Sequence, residues 1–171
     1  PILQSDGLTH SSIWCIVKDN QGTLWLGTYF GGVNYFNPEY EIYTRYSYSS
    51  NEKQGLSNPV VGRTIEDKNG NLWIGTEGGG LNYFNRRTRE FKWYRPQEGR
   101  NSISHNNVKA LYYDADKEII WIGTHLGGLN RLDIRSGHFT HYRMEDNNRQ
   151  TLPSDIVRDI IPYKEDRKSV V

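Results

Sequence analysis

An all-β fold built from a repeated four-stranded unit is what the sequence predicts, and three observations carry the prediction. The apolar share is low, 35% of 171 residues at a mean hydropathy of -0.79, yet it is skewed toward aromatics (12 Tyr, 5 Trp, 5 Phe) and comes with 17 Gly. That mixture favours sheets joined by tight turns around thin, repeated cores. Three segments align in register: Leu24-Trp25-Leu26-Gly27-Thr28, Leu72-Trp73-Ile74-Gly75-Thr76 and Ile120-Trp121-Ile122-Gly123-Thr124, with Trp at 25, 73 and 121, two steps of 48. Leu72, Trp73 and Ile74 are consecutive rather than alternating with polar residues, so this strand is expected to be buried on both faces. Four strands in such a period, each sheet flanked by two others, suit a β-propeller blade; leucine-rich repeats and β-helices use shorter periods, about 20 to 30 residues. The expected fold is therefore a β-propeller fragment: three four-stranded antiparallel blades plus the first strand of a fourth.

Each unit opens on an apolar flank, Gly7-Leu8, Gly55-Leu56, Ile103 or Leu152. A first strand follows, marked by Ile13, Ile16 and Val17, by Val60, Val61 and Ile65, or by Val108 and Leu111, and it ends at Asp19, Asp67 or Asp114. Asp19-Asn20-Gln21-Gly22 and Asp67-Lys68-Asn69-Gly70 then read as hairpin turns in which the carboxylate caps backbone amides and Gly supplies positive φ. The third unit has one extra residue between Asp114 and Trp121, so its turn is longer. The second strand is the Trp strand, where Gly75 removes a side chain so that an adjacent blade can press close beneath a Trp. A Gly pair makes the next turn, Gly-Leu-Asn-Tyr-Phe is the third strand, and the fourth is a charged run whose Arg89, Glu90, Lys92 and Arg95 defend an outer edge against pairing. The units divide as 1–50, 51–98, 99–146 and 147–171. Ser154 to Tyr163 reads as the first strand of a fourth blade, Val170-Val171 stands where Ile119-Ile120 precedes Trp121, and Pro1 to Gly7 reads as a loop after an earlier outer strand. Uncovered blade faces rich in Trp and Leu are expected to seek the remaining blades of a longer parent or to self-associate.

With 21 basic and 20 acidic side chains the net charge is +1, which gives no global field for nucleic acid. Cys15 is the single cysteine, so no internal disulfide and no thiolate metal cage can form. No apolar run approaches the roughly 20 residues needed to span a bilayer. The chain begins with Pro1, so the lack of a signal peptide says little about its compartment.

The pattern Asp-x-x-Gly-x-Leu-Trp-x-Gly-Thr, followed by Gly-Gly-Leu-Asn and a closing Phe-x-x-Tyr, resembles the two-component regulator propeller repeat. The third copy departs from it: Asp114-Ala115-Asp116-Lys117-Glu118 lacks the turn Gly, and Arg131-Leu132 replaces Tyr-Phe. The resemblance implies a segment of the periplasmic sensor region of a hybrid two-component histidine kinase from a Bacteroides-type organism. Relatives of this kind carry two seven-bladed propellers and many respond to oligosaccharides, so it also implies an oligosaccharide ligand. No phosphoacceptor His motif or nucleotide loop is present in the sequence, so kinase chemistry would belong to the parent.

The expected contact residues lie on the tips between second and third strands, where Gly-Thr and Gly-Gly are constant while Tyr29-Phe30, Glu77-Gly78 and His125-Leu126 differ. Tyr29 or Phe30 would stack on a sugar ring; Glu77 or His125 would accept hydroxyl hydrogen bonds. The long polar loops between blades should emerge on the same face, adding Tyr48, Arg100 and Arg149, although solvated connection is their commoner role. The basic cluster Arg86, Arg87, Arg89, Lys92, Arg95 and Arg100 reads as a solvated edge. No cofactor and no metal site is expected: Asp67-Lys68-Asn69-Gly70-Asn71 lacks the spacing of a calcium loop, and the histidines lack paired ligand spacing. Thr28, Thr76 and Thr124 recur in register and so read as strand hydrogen-bonders. No catalytic residue is expected either, since a propeller glycosidase wants a non-repeated carboxylate pair and Glu77 has no evident partner. A propeller that binds a folded protein through one rim is the alternative.

Overall fold

The computed structural model describes residues 2–5, 7–37 and 42–162. Blade 1 contains β2 (Ile13–Lys18), β3 (Leu24–Thr28), β4 (Val33–Asn37) and β5 (Ile42–Tyr46), with β1 (Ile2–Ser5) added outside β5. Blade 2 is β6 (Val61–Glu66), β7 (Leu72–Thr76), β8 (Leu81–Asn85) and β9 (Glu90–Tyr94); blade 3 is β10 (Val108–Asp114), β11 (Ile119–Thr124), β12 (Leu129–Asp133) and β13 (Phe139–Tyr142). All three are antiparallel meanders, and their first strands β2, β6 and β10 run side by side. This is the expected all-β propeller architecture.

The core lies between blades rather than within them. Trp25, Val33 and Tyr46 of blade 1 pack against Leu56, Val61, Leu72, Ile74, Phe84 and Phe91 of blade 2. One step on, Trp73 and Leu81 pack against Ile103, Val108, Ile120, Ile122, Leu132 and Phe139. A strand covered by sheets on both sides needs apolar side chains on both faces, and every residue of β7 is buried. Each Gly of the Trp strand is where the next blade approaches closest. The expectation of a Trp over that Gly is corrected: a Cβ at Gly27, Gly75 or Gly123 would lie within 2.7 Å of Val61 of β6, Val108 of β10 or Val157 of the segment after blade 3. The indole goes elsewhere, Trp25 reaching Phe84 on the third strand of the next blade with ring centroids 6.0 Å apart.

The turn aspartates do more than cap amides. Asp67 Oδ1 accepts from the Asn69 and Asn71 amides while Oδ2 accepts from Trp73 Nε1 at 3.2 Å, and Asp19 binds Gln21, Thr23 and Trp25 in the same way. Asp114 instead meets Lys117, accepting from its amide at 3.3 Å and pairing with its ammonium at 3.2 Å, and among the described residues has no bond to Trp121, whose turn is one residue longer. Arg86 then ties blade 2 to blade 1: its guanidinium meets Asp19 at 2.9 Å and Glu66 at 3.4 Å, and lies 5.3 Å from the Trp25 ring centroid. Burial is the main cause of the raised Glu66 pKa.

Outer edges are closed by the segment that leads into each blade. Glu52, at the start of a 3-10 turn (Glu52–Gln54), accepts from the Trp93 amide of β9, and Asn101 both donates to the Phe139 carbonyl and accepts from its amide on β13. In blade 1 the corresponding stretch pairs fully with β5, Ile2 opposite Tyr46 through Ser5 opposite Tyr43. Pro1 to Gly7 was expected as a loop; an extended edge with free backbone groups instead recruits Ile2–Ser5 as a strand. After blade 3, residues 154–162 take the place of a next first strand, with Val157 against Gly123 and its amide bonded to the Thr124 carbonyl. Tyr163 and Val170-Val171 lie outside the described residues.

Candidate functional site

One face of the blades is built from a rigid frame that repeats and a set of positions that does not. In the frame, Thr28, Thr76 and Thr124 are fully buried, and each hydroxyl donates to the carbonyl of the second Gly of the turn at 2.9 Å. That second Gly, at φ between +70 and +79, packs against the carbonyl of Tyr46, Tyr94 or Tyr142, where no Cβ fits. Asn34, Asn82 and Asn130, also buried, clasp the segment ahead of the first strand by bonding both the hydroxyl and the amide of Thr9, Ser57 or Ser104. The threonines are strand hydrogen-bonders, as the sequence reading has it.

Around this frame each blade presents residues from the same four places. Blade 1 shows His10, Trp14, Tyr29 and Phe30; blade 2 shows Asn58, Gly62, Glu77 and Gly78; blade 3 shows His105, Lys109, His125 and Leu126. His10, Asn58 and His105 each use a side-chain acceptor to cap the amide two residues on, at Ser12, Val60 and Asn107. The tips are braced on the following blade, where Gly32 donates to the Pro59 carbonyl and Gly80 to that of Asn106. Phe30 and Leu126 hold φ of 71° and leave their side chains 58% and 56% exposed. A bulky residue in the left-handed region, turned toward water, is kept there by the surrounding turn at a cost of roughly 1–2 kcal/mol.

The first strands supply what the sequence reading missed. Each has a β-bulge at the same register, between Ile13 and Cys15, Val61 and Thr64, and Val108 and Ala110. Bulges re-aim the side chain they release. The released residues are Trp14, Gly62 with Arg63, and Lys109, and together with Glu77 and Val108 they line an open cleft of about 370 Å³ that spans all three blades. Trp14 stacks on Tyr29 at 4.9 Å and 22°, and Tyr29 in turn meets Phe30 edge-on at 4.4 Å. Glu77, the carboxylate expected to act alone, is ion-paired with Lys109, and Arg63 lies 3.7 Å from Asp159. His105 and His125 meet edge-on at 6.4 Å; burial, then the charge of His125, holds His105 below the usual imidazole value. The register of 14, 62 and 109, each five residues ahead of the turn aspartate at 19, 67 or 114, is the signal that was available in the sequence.

Tyr29, Phe30, Glu77 and His125 thus share one face. Among the described residues no hydrogen bond, ion pair or ring contact joins Tyr48, Arg100 or Arg149 to them. Tyr48 is bridged to Leu56 and is 52% exposed, Arg100 lies in a turn whose neighbour Asn101 clasps β13, and Arg149 lines a hollow formed by its own loop, 144–153. The basic cluster is corrected as well. Arg86 is the interblade clamp and so is no solvated edge residue, whereas Arg95 is exposed as expected, its guanidinium lying 4.4 Å from the Trp93 ring centroid and donating to the Ser57 carbonyl. Among the described residues no group of three or more His, Cys, Asp or Glu could hold a metal ion, and no helix is long and apolar enough to cross a membrane.

A stack of four-stranded blades with a constant frame and a variable face defines a β-propeller segment of the display type. Residues 7–30, 55–78 and 102–125 match the family model described as two component regulator propeller, so the chain carries three copies of that repeat. Among solved structures it is similar to one described as the extracellular domain of a hybrid two component system from Bacteroides thetaiotaomicron, 28% identical over 92% of this chain and 22% of that chain, with a TM-score of 0.76. A second extracellular domain from the same organism, described as that of a one component system, is 23% identical over 93% of this chain and 20% of that one, TM-score 0.74. PorZ, a surface component of the type-IX secretion system of Porphyromonas gingivalis, is 20% identical over 87% of this chain and 23% of its own, TM-score 0.59. The last two likenesses show the fold alone. The chain spans about a fifth of the length of the first two structures. No curated protein matches it by sequence.

Proposed function

We propose that the chain is part of the extracytoplasmic, periplasmic sensor region of a two-component receptor, and that its variable face contributes to binding an oligosaccharide without catalysing its cleavage. The observation that carries this reading is the in-register display: three blades hold different side chains at three of the four shared places, 14/62/109, 29/77/125 and 30/78/126, on a frame of buried Thr and Asn and tight Gly turns. A structural scaffold has no need to vary those places while holding their backbone so tightly, whereas a reader of a shaped ligand does. Aromatic rings beside paired charges, Trp14 and Tyr29 near Glu77 and Lys109, supply both the apolar face and the hydrogen-bonding groups that a sugar uses. The three repeat copies and the likeness to a two component extracellular domain support the receptor assignment. A non-catalytic role is favoured by Glu77, a tip carboxylate already engaged by Lys109.

A thermal-shift panel of oligosaccharides on the full-length protein tests the reading. A ligand present at 100 times its Kd stabilises by about 2.7 kcal/mol, a shift of several degrees for a domain of this size. The exposed Phe30 and Leu126 are the observation that favours a protein partner instead. No shift with any glycan, together with a folded protein captured through this face, establishes that second reading.

A further inference from the structure

We infer that the cleft bounded by Trp14, Gly62, Arg63, Glu77, Val108 and Lys109 is a subsite for one uncharged sugar ring, stacked on Trp14 and hydrogen-bonded to the Glu77–Lys109 pair. It rests on the reading of this face as glycan-binding and adds where one ring sits and which chemistry it must have.

Trp14 is the platform. Tyr29 backs the indole at 4.9 Å, yet Trp14 keeps 47% of its surface exposed, a large apolar area turned outward on an inner strand. Its orientation is set by the bulge between Ile13 and Cys15, which takes it out of the ladder. An aromatic face carries negative π density and favours the weakly positive C–H groups on one side of a pyranose. Gly62 makes the room. It occupies the register that Trp14 and Lys109 hold in their own blades; a Cβ there would stand 3.1 Å from the Val108 carbonyl oxygen, so the close approach of blade 3 favours a bare position, and the cleft it lines with Trp14 and Lys109 is about 370 Å³. That is the small end of the range for ligand sites and suits one ring better than an extended chain.

Glu77 and Lys109 supply the polar edge. A carboxylate has about four acceptor positions and an ammonium three donors, so their mutual contact leaves both able to bond further. Two neighbouring hydroxyls can therefore donate to Glu77 and accept from Lys109. The charge pattern excludes an anionic ring: Lys109 faces Glu77 and Arg63 faces Asp159, so a carboxylate or sulfate would meet one acid for each cation. An uncharged ring adds hydrogen bonds and leaves both pairs intact.

The test uses the full-length protein and two sets of probes: neutral xylo-, manno- and galacto-oligosaccharides, and anionic oligogalacturonates and sulfated disaccharides. Calorimetry gives affinity, and hydroxyl-radical footprinting with mass spectrometry gives the protection of Trp14. The expected result is a neutral oligosaccharide that protects Trp14 and binds at least tenfold more weakly to Trp14→Ala and several-fold more weakly to Lys109→Gln, each variant keeping the wild-type melting temperature without ligand. A glycan that binds wild type and Trp14→Ala equally and leaves Trp14 unprotected overturns the subsite while the glycan-sensing reading stands. Protection of Trp14 by anionic probes alone overturns the uncharged assignment. No binding of any probe by wild type overturns both.

Discussion

Substituting Gly75 by Ala puts one methyl group into the seam between blades 2 and 3. In an open strand this change stabilises by roughly 0.5–1 kcal/mol, because Gly loses more backbone freedom on folding. Here the methyl would stand 2.6 Å from Cγ1 and 3.0 Å from Cβ of Val108, well inside the ~3.5–4.0 Å of a normal carbon contact. Val108 is fully buried and belongs to the next blade, so relief requires the two sheets to part. The overpacking is expected to destabilise by about 1–3 kcal/mol. Val108→Ala alone removes two buried methyl groups and leaves a cavity, about 2 kcal/mol. In the double variant the new methyl enters the space that Val108 vacates, and the loss is expected to fall short of the sum by about 1–2 kcal/mol. Urea denaturation followed by far-ultraviolet circular dichroism of all four proteins measures this coupling. A Gly75→Ala protein more stable than wild type, or losses additive to within about 0.5 kcal/mol, would refute a seam held by Gly against Val.

Three further outcomes are expected. Asp67→Ala strips three N–H donors, including the buried Trp73 indole, of their acceptor and is expected to cost about 2–4 kcal/mol, whereas Asp114→Ala frees one amide and is expected to cost about 1 kcal/mol or less; the same urea titrations compare them. His105 binds its proton less readily folded than unfolded, so the stability it contributes is present above the unfolded value of about 6.5 and is lost as pH falls through the lower folded value. Melting temperatures between pH 8 and 5 should show that loss in wild type and less of it in His105→Asn, whose amide can cap Asn107 as Asn58 caps Val60. Leu126→Gly relieves a left-handed backbone where blade 2 already has Gly78, and is expected to stabilise by about 1 kcal/mol in urea.

The sequence repeat located nearly every strand, because burial on both faces forces the Leu-Trp-Ile run and because the Gly pairs and Asp turns mark its ends. Tyr29, Phe30, Glu77 and His125 were legible as a set for the same reason: a fixed turn with changing residues stands out once the register is known. What the register could not show is which group of a neighbouring unit each side chain meets. Arg86 reads as one of a run of surface cations until folding brings Asp19, 67 positions earlier, to 2.9 Å from it. Trp14 reads as one more apolar strand residue, since a bulge leaves no mark in composition, and its exposure follows from the ladder geometry alone. The indole acceptor role of Asp19 and Asp67 depends on a six-residue spacing that the third unit breaks, a difference visible in the sequence whose consequence only the hydrogen bonds reveal.

The most direct test of a ligand-reading face is a crystal structure of the full-length protein soaked with an oligosaccharide that raises its melting temperature. The account predicts ligand density against the variable positions, with a ring over Trp14 and hydroxyls at Glu77 and Lys109. Density confined to the opposite face, around the Asp19 and Asp67 turns, or to blades that make no contact with these residues, would contradict it.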